Sequence, residues 1–166
     1  MVITTSSDLN TWHEQPIPSE IVTDVQHGQV SLAASGDTVV ISARDASMPA
    51  YISQDRGASW TEMGGVENVT ALAIDPEDST WMVAATYDPN IDQGMVYMSD
   101  DSGRSWQTIL RAENDNAEIQ AVSNRQARHM NCISDLVVDI GRTRQIMVVT
   151  AGGIYLATLA RPGVAH

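Results

Sequence analysis

Short apolar runs separated by turn residues set the pattern of this chain. They come in pairs. The first pair covers residues 30–34 and 38–43, with Ser35-Gly36-Asp37 between them. The second covers residues 69–74 and 81–86, around Asp75-Pro76-Glu77-Asp78. The third covers residues 133–140 and 145–150, around Gly141-Arg142-Thr143-Arg144. Each run is rich in β-branched or large apolar residues, and this pattern predicts strands joined as hairpins. A third strand is predicted after each pair, at residues 50–53, 95–99 and 153–157, and fourth strands are predicted to start at Ser59 and Ser105. The nearly continuous apolar segments 71–74 and 136–140 read as inner strands packed on both faces.

A repeat runs through the same segments. Residues 51–60 read Y-I-S-Q-D-R-G-A-S-W and residues 97–106 read Y-M-S-D-D-S-G-R-S-W. Tyr51/Tyr97, Ser53/Ser99, Asp55/Asp101, Gly57/Gly103, Ser59/Ser105 and Trp60/Trp106 match, and the two tryptophans stand 46 residues apart. A weaker third copy, Ser6-Ser7-Asp8-Leu9-Asn10-Thr11-Trp12, places Trp12 48 residues before Trp60. Its Asn10 replaces glycine, and Asn is the next best residue for a left-handed turn. Four short strands in each period of about 46 residues read as a propeller blade. The fold class expected is therefore all-β: four-stranded antiparallel blades, about three per chain, in one domain over residues 1–166.

One interval departs from the period. Tyr97 and Tyr155 are 58 residues apart, which places an insertion at about residues 112–131. Its helix formers (Ala117, Glu118, Gln120, Ala121, Gln126, Ala127, Arg128) predict a short helix or an ordered loop. The chain begins with material for a third and a fourth strand near residues 2–5 and 12–15, and shows no fourth strand after residue 157. Three blades are too few to close a ring. The expectation is an assembly in which the N-terminal strand of one protomer completes the last blade of another.

The S-x-D-x-G-x-x-W motif, met twice, resembles the Asp box or BNR repeat of sialidases, sortilin-type receptors, xyloglucan-hydrolase propellers and the photosystem II assembly factor propeller. Gly94–Tyr97 and Gly152–Tyr155 resemble the entries to that box, and the resemblance runs from Ser6 to Tyr155. It implies a structural, peripheral role for Ser53, Asp55, Gly57 and Trp60, for Ser99, Asp101, Gly103 and Trp106, and for Asp8 and Trp12. In the physical reading of the box, the carboxylate accepts hydrogen bonds from its own turn, the glycine takes a positive φ, the serine bonds back to the turn and the tryptophan packs across strands. A calcium role for Asp100 and Asp101 is the competing reading, but no loop has a known calcium-site spacing. A sialidase needs an arginine trio, a tyrosine nucleophile and acidic partners. No Tyr-Arg-Ile-Pro marks the first arginine, and the chain has no Phe.

Composition narrows the partners. The formal net charge is −12, and all nine basic residues are Arg. Such a surface repels phosphate backbones and anionic lipids, so neither nucleic acid nor membrane insertion is expected. Arg125, Arg128 and His129 would share one face of a helix. They are the candidate contact for an anion or an acidic partner, against internal pairing with Glu113, Asp115 and Glu118. No metal site is expected from His13, His27 and His166, and no phosphate loop or nucleophile elbow is present. With 21 acidic residues, a glycosidase pair cannot be told from chance spacing. Cys132 is the only cysteine and reads as a small buried residue. The first residues lack the basic and apolar regions of a signal peptide, and no apolar run reaches the length of a membrane span.

The expectation is a non-catalytic module for binding or assembly, without a cofactor. Its partner is a second copy or another protein subunit, with carbohydrate left open as a ligand. A remnant of a carbohydrate-active propeller enzyme is the alternative.

Overall fold

The computed structural model describes residues 2–5, 10–17, 19, 21, 30–43, 49–88, 93–111, 119–121, 133–138, 145–150 and 153–158. The regular structure with assigned bounds there is all strand. A hairpin of β1 (Val2–Thr5) and β2 (His13–Pro16) comes first, and β1 pairs antiparallel with β2. The first four-stranded sheet holds β3 (Val30–Ser35), β4 (Thr38–Ala43), β5 (Pro49–Ser53) and β6 (Thr61–Glu67), side by side in chain order. The second holds β7 (Val69–Ile74), β8 (Met82–Asp88), β9 (Gln93–Ser99) and β10 (Gln107–Arg111), again in chain order. The third contains β11 (Ile119–Ala121), β12 (Ile133–Val138), β13 (Gln145–Thr150) and β14 (Gly153–Thr158).

Turn chemistry ends these strands. Between β7 and β8 the Asp75 carboxylate accepts the N–H groups of Glu77 (2.8 Å) and Asp78 (3.2 Å), a local bond that competes with strand continuation. Gly36, between β3 and β4, takes φ 59°. Pro49, which has no N–H to give a ladder, opens β5. The fourth strands begin at Thr61 and Gln107, two residues beyond the serines expected to start them, because Ser59 and Ser105 are held inside the turn.

The sheets stack face to face, and alternation decides what each face meets. Val40, Ala50 and Ile52 of the first sheet pack on Leu72, Ile74, Met82 and Ala84 of the second. On the other face of the second sheet, Ala73, Val83, Ala85, Val96 and Met98 pack with Ile146 and Val148 of β13. The second sheet is thus buried on both sides, and each such valine, leucine, isoleucine or methionine side chain contributes about 1.5–3 kcal/mol. β7 has the two-sided burial expected of an inner strand. β3 does not: it alternates, with Val30 and Leu32 exposed, because among the described residues no sheet covers that face of β3.

The insertion holds a correction. Over 119–121 it forms strand β11, neither the short helix nor the loop expected there, and β11 pairs antiparallel with β14 (Ile119↔Ala157, Ala121↔Tyr155). The third sheet therefore runs β11-β14-β13-β12. Its fourth strand comes from before the other three in the chain. An unpaired strand edge needs partners for its N–H and C=O groups, and this pairing overrides weak helix propensity. The edge expected to receive a strand from another protomer is therefore filled from within the chain. The rest of the insertion, with Arg125, Arg128 and His129, lies outside the described residues, as do Asp8 and Cys132.

Candidate functional site

The two ten-residue repeats build the same turn between the third and fourth strands of their sheets. In the first sheet, Ser53 is fully buried. Its Oγ accepts the N–H of Gly57 at 2.7 Å and that of Asp55 at 3.3 Å, and donates to the Asp55 carboxylate at 2.8 Å. The same carboxylate accepts the Ser59 N–H at 2.7 Å and the Ser59 hydroxyl at 2.6 Å. The Trp60 indole donates to the Gly57 carbonyl at 3.0 Å.

The second sheet repeats these bonds and adds one. Ser99 Oγ accepts from Gly103 (2.9 Å) and Asp101 (3.3 Å) and donates to Asp101 (2.8 Å). Asp101 accepts the N–H and hydroxyl of Ser105 (2.9 and 2.6 Å) and the N–H of Arg104 (3.0 Å). Trp106 donates to the Gly103 carbonyl at 3.2 Å.

Two successive left-handed residues bend each turn: Arg56 (φ 60°) and Gly57 (φ 91°), then Ser102 (φ 64°) and Gly103 (φ 77°). Of each pair, the glycine aims its amide at the serine oxygen. Only the glycines were legible as left-handed in the sequence. The amides of Arg56 and Ser102 also tie each turn to the first hairpin of its own sheet, at the carbonyls of Asp37 and Thr80 (2.9 Å each). The exposed Arg56–Asp37 ion pair adds little to this.

Both carboxylates are held well below the ordinary value of 3.8, at about 2. For Asp55 the main causes are the Ser59 hydroxyl, then the Ser59 amide, then the Ser53 hydroxyl. For Asp101 they are the Ser105 hydroxyl and amide; burial opposes them, and Ser99 and Arg104 add less. Each carboxylate is therefore an occupied acceptor. Among the described residues, no group of three or more His, Cys, Asp and Glu side chains is placed to hold a metal ion.

The tryptophans lean on the preceding unit. Trp106 packs against the buried cluster that includes Met63 and Val66 of β6, and its ring lies 3.2 Å from where a Cβ on Gly65 would stand. Trp60 packs with Ile17 and Ile21, so the N-terminal segment does for Trp60 what β6 does for Trp106. Trp12, in the third copy, is 56% exposed. Sequence reasoning missed Gly65, and it gave Ser59 and Ser105 no role although their identity in the repeat was in view.

At the opposite end of the strands, a cleft of about 350 Å³ opens between the first and second sheets, lined in part by Glu67, Asn68, Tyr87 and Tyr97. Asn68 (φ 55°) turns the chain from β6 into β7, and its carbonyl accepts the Tyr87 N–H at 3.3 Å. Apolar side chains are also exposed at both ends of the stack: Val30 and Leu32 on β3, and Met147 and Ile154 on the third sheet.

Stacked four-stranded antiparallel sheets of this kind are found in solved structures. The GH74 xyloglucanase of Xanthomonas campestris superposes with a TM-score of 0.59 at 18% identity, over 81% of this chain and 21% of that one. The GH74 enzyme of Niastella koreensis gives 0.60 at 16% identity, over 76% and 22%. The chain is a segment of a β-propeller. Its four-stranded sheets are blades, and it spans about a fifth of the length of these relatives in fold. No protein-family description matches the sequence, and no curated protein does.

Proposed function

We propose that this chain is a non-catalytic propeller module of the Asp-box type, whose work is binding and assembly. Its array of blades is completed by docking on another subunit. The observation that carries this reading is the pair of end faces, which leave Leu32 and Ile154 in solvent at 53% and 42% exposure. Large apolar side chains clustered on a sheet face mark a surface that meets another protein. The box turns serve as structural clasps in this reading, since the hydrogen bonds on each carboxylate are made inside its own turn. The test is turnover. The chain is expected to hydrolyse neither xyloglucan nor sialosides above background. Hydrolysis abolished by a single carboxylate substitution overturns the reading.

The cleft favours a second reading, in which the chain is part of a carbohydrate-active propeller. Two tyrosines beside Asn68 and Glu67 offer ring faces and hydrogen-bonding groups of the kind that hold sugars. Calorimetry with xyloglucan oligosaccharides checks it: binding by the wild type that is lost in Tyr87→Ala supports this reading, and no binding removes it.

A further inference from the structure

We propose that two copies of this chain associate head to tail, the outer face of the third blade of one packing on the β3 face of the other. This rests on the assembly reading and names its partner. The cross-strand register supplies the argument. Leu32 pairs with Ile41 as Leu72 pairs with Ala84, and Ala34 pairs with Val39 as Ile74 pairs with Met82. Leu32 therefore stands where Leu72 stands. Leu72 is 6% exposed, because the first blade covers it.

The other end shows the converse. Met147 pairs with Leu156 as Val83 pairs with Met98, and Val149 pairs with Ile154 as Ala85 pairs with Val96. Val83 and Val96 are buried against the third blade, whereas Met147 and Ile154 are exposed. The exposed β3 strip and the outer face of the third blade thus match the two sides of an interface that the chain already makes twice within itself, although Val39 and Ile41, beside the strip, are already buried.

Three consequences define the contact. The faces differ, so the contact is heterologous and must close by rotation or run on as a filament. Two copies bring six four-stranded blades, besides the β1–β2 hairpin of each, inside the range of about four to eight that forms rings. Because β11 already holds the edge of β14, the contact is made by faces and not by exchanged strands. On the first blade, Ile17 and Ile21 occupy the outer part of the face, over Ile41, Tyr51 and Trp60. The arriving blade therefore meets Val30, Leu32 and Ala34 on the innermost strand.

Light scattering and sedimentation on the whole chain test this, with Leu32→Arg and Met147→Arg as variants. Arginine lowers the negative charge of an acidic chain, so a lost contact reports desolvation of the new group and not added repulsion. The wild type is expected at twice the 17.9 kDa of one chain at micromolar concentration. Each variant alone is expected to dimerise about tenfold more weakly or worse, with an unchanged circular dichroism spectrum. Leu32→Gln and Met147→Gln serve if an arginine variant fails to fold. The two variants mixed are expected to recover a one-to-one complex held by a single contact, because one chain keeps the third-blade face and the other keeps the β3 face, while the second contact, arginine against arginine, stays open. A folded wild-type monomer, masses that climb without limit, or a mixture that does not recover each overturn the proposal. A monomer without hydrolase activity removes only the second copy, whereas turnover removes the reading beneath it.

Discussion

Ser53→Ala isolates what the turn hydroxyl contributes to the fold. The Gly57 N–H is buried, and its bond to Ser53 Oγ is 2.7 Å long. Alanine removes that acceptor and fills most of the space, so water has little room to replace it. A buried donor left without a partner costs about 1–3 kcal/mol. At about 2–4 °C per kcal/mol for a chain of this size, the unfolding midpoint should fall measurably. Ser59→Ala is the control. Its hydroxyl also bonds Asp55, at 2.6 Å, but on the exposed side of the turn, where water can take its place. Thermal and urea unfolding at fixed protein concentration give both values, the concentration being held because association shifts apparent stability. A Ser53→Ala midpoint equal to wild type, or a Ser59→Ala loss as large as that of Ser53→Ala, would refute the reasoning.

Gly65→Ala should destabilise by about 1–2 kcal/mol from its left-handed φ alone, with a further loss from the approach to Trp106; urea unfolding measures it. Met82→Ala should cost about 2–5 kcal/mol, because Met82 is wholly buried between the first two blades; the same unfolding curves check this. The depressed values of Asp55 and Asp101 stabilise the fold wherever the unfolded chain would also be ionised, above about pH 4. That contribution is lost as pH falls through about 2, so the double variant Asp55→Asn and Asp101→Asn should show a shallower acid limb when unfolding is followed by tryptophan fluorescence.

The sequence by itself determined the blades. Short apolar runs, turn residues between them and a motif returning after 46 residues are local signals. The strands they specify pair with their neighbours in the chain, so Val30–Ser35 meets Thr38–Ala43 with no long-range information. The turn of the box was legible for the same reason, since Ser53, Asp55 and Gly57 bond one another within five residues. What only the tertiary structure decided is long-range. Ile119–Ala121 became a strand because the edge of β14 needed a partner, and no local preference announces that. Gly65 carries a positive φ and leaves room for Trp106, which arrives from 41 positions further along the chain. Leu32 and Leu72 are the same residue in the same register, yet one is exposed and the other buried. Alternation chooses the face of a strand, and the neighbouring blade decides whether that face is covered.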